Sequence, residues 1–163
     1  MPRTRHLSYN RRISMSKDYE MNKSEIALKL FDEGYNCAQS VLCAFSEETG
    51  LDRDLCLKVS SAFGAGVCRQ AGVCGAVSGG LMALGLIHCN SSEPMSKGSV
   101  YSKGGEFMAR FNEANGSLTC KELLGCDISS PDGMQMARDQ GLFRTKCPSL
   151  VESAVILLET SKS

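Results

Sequence analysis

Apolar positions recur along this chain at steps of three and four residues, and that spacing predicts helices rather than strands. From Ser16 to Glu33, Tyr19, Ile26, Ala27, Leu30 and Phe31 fall on one face, with Lys23, Glu25, Lys29 and Asp32 opposite and Gly34 as the stop. Asn36-Cys37-Ala38-Gln39 then reads as a capping box, because Asn can cap a helix and Gln three residues on can reach back. Ala38, Val41, Leu42 and Phe45 form the inner stripe of the helix that follows, ending at Gly50. Asp52 caps a third helix over 53–62, with Leu55, Val59 and Ala62 inward and Cys56 unassigned. Residues 74–88 carry no charge and are apolar nearly all round, which predicts a central helix buried on most sides.

Further along, Val100, Tyr101, Phe107, Met108 and Phe111 mark a helix over about 97–115, its continuity weakened by Gly104-Gly105. A capping box, Thr119 to Glu122, opens a short helix through Leu124, and Pro131 opens another through about Gln140. Cys147-Pro148 puts proline at the first position of a final helix, whose inner stripe is Val151, Ala154, Val155 and Leu158. There is no Asn-Gly hairpin, since Asn115-Gly116 falls where a helix stops, and there is no strand pair and no long repeat. The expectation is an all-α fold: one domain of about six to eight helices around the segment 74–88.

Ahead of that central helix, Gly64, Gly66 and Gly72 punctuate a loop that runs into Cys74. Gly75 and Gly79 follow four residues apart, each costing about 1 kcal/mol in helix propensity. Such a cost points to close backbone packing or to a cofactor on that face. Gly72, Gly75 and Gly79 are therefore candidate cofactor-contacting positions, where backbone can come close to a bound group. The loop is neither G-x-x-x-x-G-K-[ST] nor a G-x-G-x-x-G opening a βαβ unit, so no nucleotide is expected.

Composition narrows the classes. A chain of 163 residues suits one domain, 17–163, behind a disordered basic tail, 1–16, that holds no acidic residue. Eighteen basic and 18 acidic residues balance to zero and Trp is absent, so neither a basic field nor a stacking surface speaks for nucleic acid. No window is apolar and long enough to cross a bilayer, so no membrane insertion is expected. The N-terminus lacks the apolar run of a secretory signal, which makes the reducing cytoplasm the expected compartment. There, nine cysteines mean metal or redox chemistry rather than a disulfide frame, with about half of them packing as small hydrophobes.

Position singles out four of the nine. Cys37, Cys74, Cys120 and Cys147 each fall at or within the first turn of an expected helix, where unpaired amides and the helix dipole favour thiolate. The same amides can donate to the sulfurs of a thiolate-held cluster. Cys43, Cys56 and Cys89 lie inside helices or at their ends, and Cys126 follows a helix end. Three C-x5-C spacings occur (37/43, 68/74, 120/126), but six helical residues turn a side chain about 240° apart, so 37 and 43 cannot pair within one helix. His88 reads as a helix-end residue, and Arg69 and Lys121 as solvated charges beside thiols.

Four segments, Gly34-Tyr-Asn-Cys-Ala-Gln-Ser-Val, Cys74-Gly-Ala-Val-Ser-Gly79, Cys120-Lys-Glu-Leu-Leu-Gly and Lys146-Cys-Pro-Ser-Leu-Val, together resemble the C_GCAxxG_C_C family of redox-active proteins. The naming CGAxxG motif is met by Cys74, Gly75, Ala76 and Gly79, and the similarity runs from about Glu25 to Leu158. The four family cysteines map onto Cys37, Cys74, Cys120 and Cys147. The resemblance extends to a domain of split-Soret cytochromes c, which carry an iron–sulfur centre besides haem, and so implies a four-thiolate site. No C-x-x-C-H is present, so no haem is expected. Three readings follow. The first is an iron–sulfur protein, with those four cysteines holding a [2Fe–2S] cluster for electron transfer or sensing. The second is a thiol–disulfide redox protein using paired thiols, and the third a structural zinc site or binding module. Any enzymatic role would be that of an oxidoreductase, with a redox protein as partner; the oligomeric state, homodimer included, is left open.

Overall fold

The computed structural model describes residues 21–161, and the expected tail and the start of the first helix at Ser16 lie outside them. Among the described residues the fold is all-α, with one isolated antiparallel bridge between Val73 and Thr119. Helix α1 (Lys23–Asp32) starts on a reciprocal cap: Asn22 Oδ1 accepts the Glu25 amide at 2.9 Å, and Glu25 Oε2 accepts the Asn22 amide at 2.8 Å. The expected box at Asn36 and Gln39 forms in the same way, at 3.0 Å in both directions, and opens α2 (Cys37–Ala44). That helix does not run on to Gly50. It breaks at the buried Phe45 and restarts as the single turn α3 (Ser46–Thr49), which Gly50 closes at a φ of +70°.

In α4 (Arg53–Val59) the expected inner stripe is wrong by one residue. Leu55 and Val59 are exposed, as is Ala62 beyond the helix, and the only fully buried side chain is Cys56. The reason is local. The Ser60 hydroxyl donates to the Cys56 carbonyl at 2.6 Å and Gln39 of α2 donates to the Leu57 carbonyl at 2.9 Å, so the face at 56 and 60 meets α2. A short 3₁₀ turn, Ser61–Phe63, follows.

Helix α5 (Gly75–His88) is the centre of the packing, though not buried all round, since Leu86 faces out. Its small residues admit neighbours. A Cβ on Gly79 would lie 2.6 Å from the Ala38 carbonyl oxygen of α2, and one on Gly80 would lie 2.6 Å from the Phe107 ring. Helix α6 (Lys97–Asn115) carries that ring and stays continuous through Gly104-Gly105, because Gly104 seats against Leu81 of α5. Its inner face is Gly104, Phe107 and Phe111, whereas Tyr101 points to solvent. After α7 (Cys120–Leu124) and α8 (Pro131–Asp139), a single turn not read from the sequence, α9 (Leu142–Thr145), begins on Gly141. Helix α10 (Cys147–Thr160) then packs Val151, Ala154, Val155 and Leu158 into the core as expected. No helix among the described residues is long and apolar enough to cross a membrane.

The connection from the 3₁₀ turn to α5 is the strained part of the chain. Ala65, Gly66, Val67, Cys68 and Arg69 all have φ between +51° and +70°, and Ala71 has +57°. Left-handed backbone costs a non-glycine residue about 1–2 kcal/mol, so the five non-glycines together store on the order of 5–10 kcal/mol. Bonds across the turn hold it: Cys68 N to Ala62 O and Gln70 N to Val67 O at 2.9 Å, and Gly72 N to Gly66 O at 3.0 Å. Asn36 Nδ2 adds a tie to the Ser61 carbonyl at 2.9 Å. Val67 is the costliest member, being β-branched and partly exposed. Val67→Gly is expected to raise stability by about 1 kcal/mol, the relieved strain less the added freedom of the unfolded chain. The check is a higher urea midpoint at unchanged slope; a lower midpoint would mean that the Val67 side chain contributes more than its backbone costs.

A candidate four-thiol centre at four helix starts

Each of the four singled-out thiols begins a helix. Cys37, Cys120 and Cys147 are the first residues of α2, α7 and α10, and Cys74 is the residue that caps α5. All four are buried, from 1% exposure at Cys74 to 8% at Cys37.

Separate local devices bring them together. Around the Val73–Thr119 bridge, the Cys74 amide donates to the Leu118 carbonyl at 2.8 Å. The Cys120 amide donates to Gly72 at 2.7 Å and that of Lys121 to Ala71 at 3.1 Å. This short ladder fixes the start of α5 beside the start of α7. Thr119 caps α7 by accepting the Glu122 amide, but Glu122 does not close the expected box. Its carboxylate instead accepts the hydroxyls of Ser117 and Thr119, which hold it below the usual carboxylate range.

The starts of α2 and α5 are stacked directly: a Cβ on Gly75 would lie 3.1 Å from Cys37 Cβ and from the Ala38 amide nitrogen. Lys146, next to Cys147, reaches from the start of α10 to the end of α7, donating to the carbonyls of Leu123 and Leu124 at 3.3 and 3.2 Å. Gly72, Gly75 and Gly79, expected either to pack closely or to face a cofactor, have protein backbone beside them. Their effect is to let the cysteine-bearing ends approach. Lys121 turns away to an ion pair with Asp127 at 2.9 Å, and Arg69 is exposed on the left-handed turn.

The electrostatics divide the four into two pairs. Cys37 donates a hydrogen bond to Cys147, and with burial and the charges of Cys147, Cys74 and Cys120 this pushes the Cys37 thiol well up. Cys147, receiving that bond, is lowered despite its burial. Cys120 likewise donates to Cys74 and is raised, by that bond first and by burial second. Cys74 is lowered by the bond from Cys120 and by the amides of Ala76 and Val77, against the opposing effect of burial. Each pair therefore holds one sulfur inclined to thiolate beside one that keeps its proton, and the pairs feel each other's charge. Among the described residues, no three His, Cys, Asp or Glu side chains are grouped as a single metal ion would need. The arrangement is two plus two.

One neighbour was not read from the sequence. Cys126 is buried just after α7, and its charge adds to the upward push on Cys120. The signal was the 120/126 spacing, with Gly125 reversing the chain at a φ of +78°. Of the remaining cysteines, Cys43 and Cys56 are buried and influence each other's titration, and Cys68 and Cys89 are exposed.

No curated protein and no solved structure matches the chain. A family model does, over residues 35–161, and its description is "Putative redox-active protein (C_GCAxxG_C_C)". That span holds all four paired thiols and every helix that begins on one of them. By this match over most of its length, the chain belongs to the C_GCAxxG_C_C family.

Proposed function

We propose that this protein carries or senses single electrons through a [2Fe–2S] cluster held by Cys37 and Cys147 on one side and Cys74 and Cys120 on the other. The observation that carries the reading is the pairing itself. Metal–thiolate bonds of about 2.3 Å in a tetrahedron set two sulfurs about 3.8 Å apart, a separation suited to thiols in hydrogen-bonding contact. Two such pairs, mutually within electrostatic reach, supply the four thiolates that such a cluster takes. The donor set fits as well: four buried sulfurs with no carboxylate or imidazole among the groups that shift them. Such a cluster supplies one-electron transfer when bound.

The chain's own residues would do the rest. The Ala76 and Val77 amides at the start of α5 favour the anionic form of the Cys74 sulfur. The burial of all four sulfurs excludes water, a condition that shifts the potential of a thiolate-ligated centre. Cys37 and Cys120 must each lose a proton on ligation, so occupancy falls as pH drops.

A second reading has its own support, in that Cys74 combines a lowered pKa with an adjacent protonated thiol, Cys120. Such a pair can close to a disulfide, giving up two electrons and two protons to a disulfide-bearing partner. Anaerobic purification followed by a visible spectrum and iron and acid-labile sulfide assays separates the readings. Two irons and two sulfides per chain are expected. A colourless, iron-free protein with a reversible Cys74–Cys120 or Cys37–Cys147 disulfide would replace the first reading by the second, and stoichiometric zinc without redox change would overturn both.

A further inference from the structure

Outside the centre, the fold brings together two more thiols. Cys43, on α2, and Cys56, on α4, are 5% and 0% exposed, and each sulfur shifts the proton affinity of the other. Both sulfurs converge on the residues that enter α4: Cys43 Sγ approaches the Arg53 carbonyl at 3.9 Å and Cys56 Sγ the Leu51 carbonyl at 3.8 Å. Their surroundings keep them quiet in the closed fold. Burial pushes Cys43 up to about 12 and raises Cys56 too, so neither offers much thiolate.

Helix α4 is also lightly anchored. It spans seven residues and fully buries one side chain, Cys56, while Asp52, Arg53, Asp54, Leu55, Lys58 and Val59 are exposed. A helix held this way opens at lower cost than global unfolding requires.

We propose that Cys43 and Cys56 are a second dithiol, closed to a disulfide by a low-molecular-weight disulfide such as glutathione disulfide whenever α4 opens, so that α4 is cross-linked to α2. In the open state the Cys56 thiolate attacks one sulfur of the oxidant, forming a mixed disulfide and expelling one thiolate. As α4 recloses, the Cys43 thiolate attacks the Cys56 sulfur and expels the second. The protein loses two electrons and two protons, and the oxidant becomes two thiols. Placement favours ring closure over a lasting mixed disulfide, because both sulfurs already sit against the short segment that enters α4. The device is independent of the four-thiol centre, whose cysteines take no part in it.

The test uses the full-length wild-type chain exposed to glutathione disulfide, with and without urea below the unfolding transition, then acid-quenched, alkylated, digested and mapped by mass spectrometry. The expected product is a Cys43–Cys56 linked peptide, lighter by two hydrogens. It should appear later than glutathione adducts on the exposed Cys68 and Cys89, and faster with urea. Asp52→Ala removes the side chain that accepts the Leu55 amide at 2.9 Å and caps α4. Linkage should then form about five-fold faster, the equivalent of roughly 1 kcal/mol of cap. Recovery of Cys43 and Cys56 as free thiols while Cys68 and Cys89 are modified would overturn the proposal, as would separate glutathione adducts that never resolve. Linkage unaffected by both urea and Asp52→Ala would overturn the gating by α4.

Discussion

Gly79→Ala should destabilise the protein by about 3 kcal/mol, at the upper end of what overpacking a core costs. The added methyl would fall 2.6 Å from the Ala38 carbonyl oxygen and 3.0 Å from its Cα. Both are backbone atoms, so no side-chain rotation can yield the space, and α2 must slide off α5. Because Cys37 and Cys74 start these two helices, the shift should also loosen the thiol pairs. Gly85, on the same helix, has open space where a methyl would go, with nothing within 4 Å. Gly85→Ala should accordingly gain up to about 1 kcal/mol from helix propensity. Chemical denaturation of the two variants side by side is the measurement. Equal effects would mean that α2 and α5 are not held by close approach.

The second large effect is expected at the thiols themselves. On the proposed cluster assignment, Cys37→Ser, Cys74→Ser, Cys120→Ser and Cys147→Ser should each remove most of the iron and the visible absorption, whereas Cys89→Ser should change neither. Cys89 is exposed, with its sulfur 3.8 Å from the Ser96 hydroxyl, so it reports what losing an uninvolved thiol does. Cys126→Ser belongs between these limits. Its sulfur pushes on Cys120 without a partner among the four, so the iron count should stay while the reduction potential moves. If all six variants retained iron alike, the two-plus-two assignment would be wrong.

Much of this architecture is legible in the residue pattern, and the parts that are not share a physical cause. Caps are local, so Asn36 with Gln39, Asp52 and Thr119 announced their helices, and Cys37, Cys120 and Cys147 fell at helix starts as read. The stripe of α10 was equally plain, since strongly apolar residues recur at helical spacing. The misreading of α4 arose where a small residue outweighed larger ones: Cys56 faces inward because of a thiol and a glutamine elsewhere in the chain. The break at Phe45 has the same character, as a buried ring ends a helix whose spacing would have allowed it to continue. Left-handed backbone at Ala65, Val67, Cys68, Arg69 and Ala71 runs against every local preference, so no propensity could have indicated it. The sorting of four thiols into pairs depends on the 71–74 and 118–121 ladder and on Lys146, contacts between residues far apart in sequence.

That remoteness sets a clock for assembly. Cys37 and Cys147 influence each other across about three quarters of the described residues, and at synthesis rates of about 5–20 residues/s the second emerges roughly 5–20 s after the first. Until α10 is made, Cys37 lacks the sulfur it donates to, while Cys74 and Cys120 can already sit side by side. A nascent chain therefore presents half a centre for seconds. The proposed cluster would then either wait for the last helix or begin on the pair delivered first.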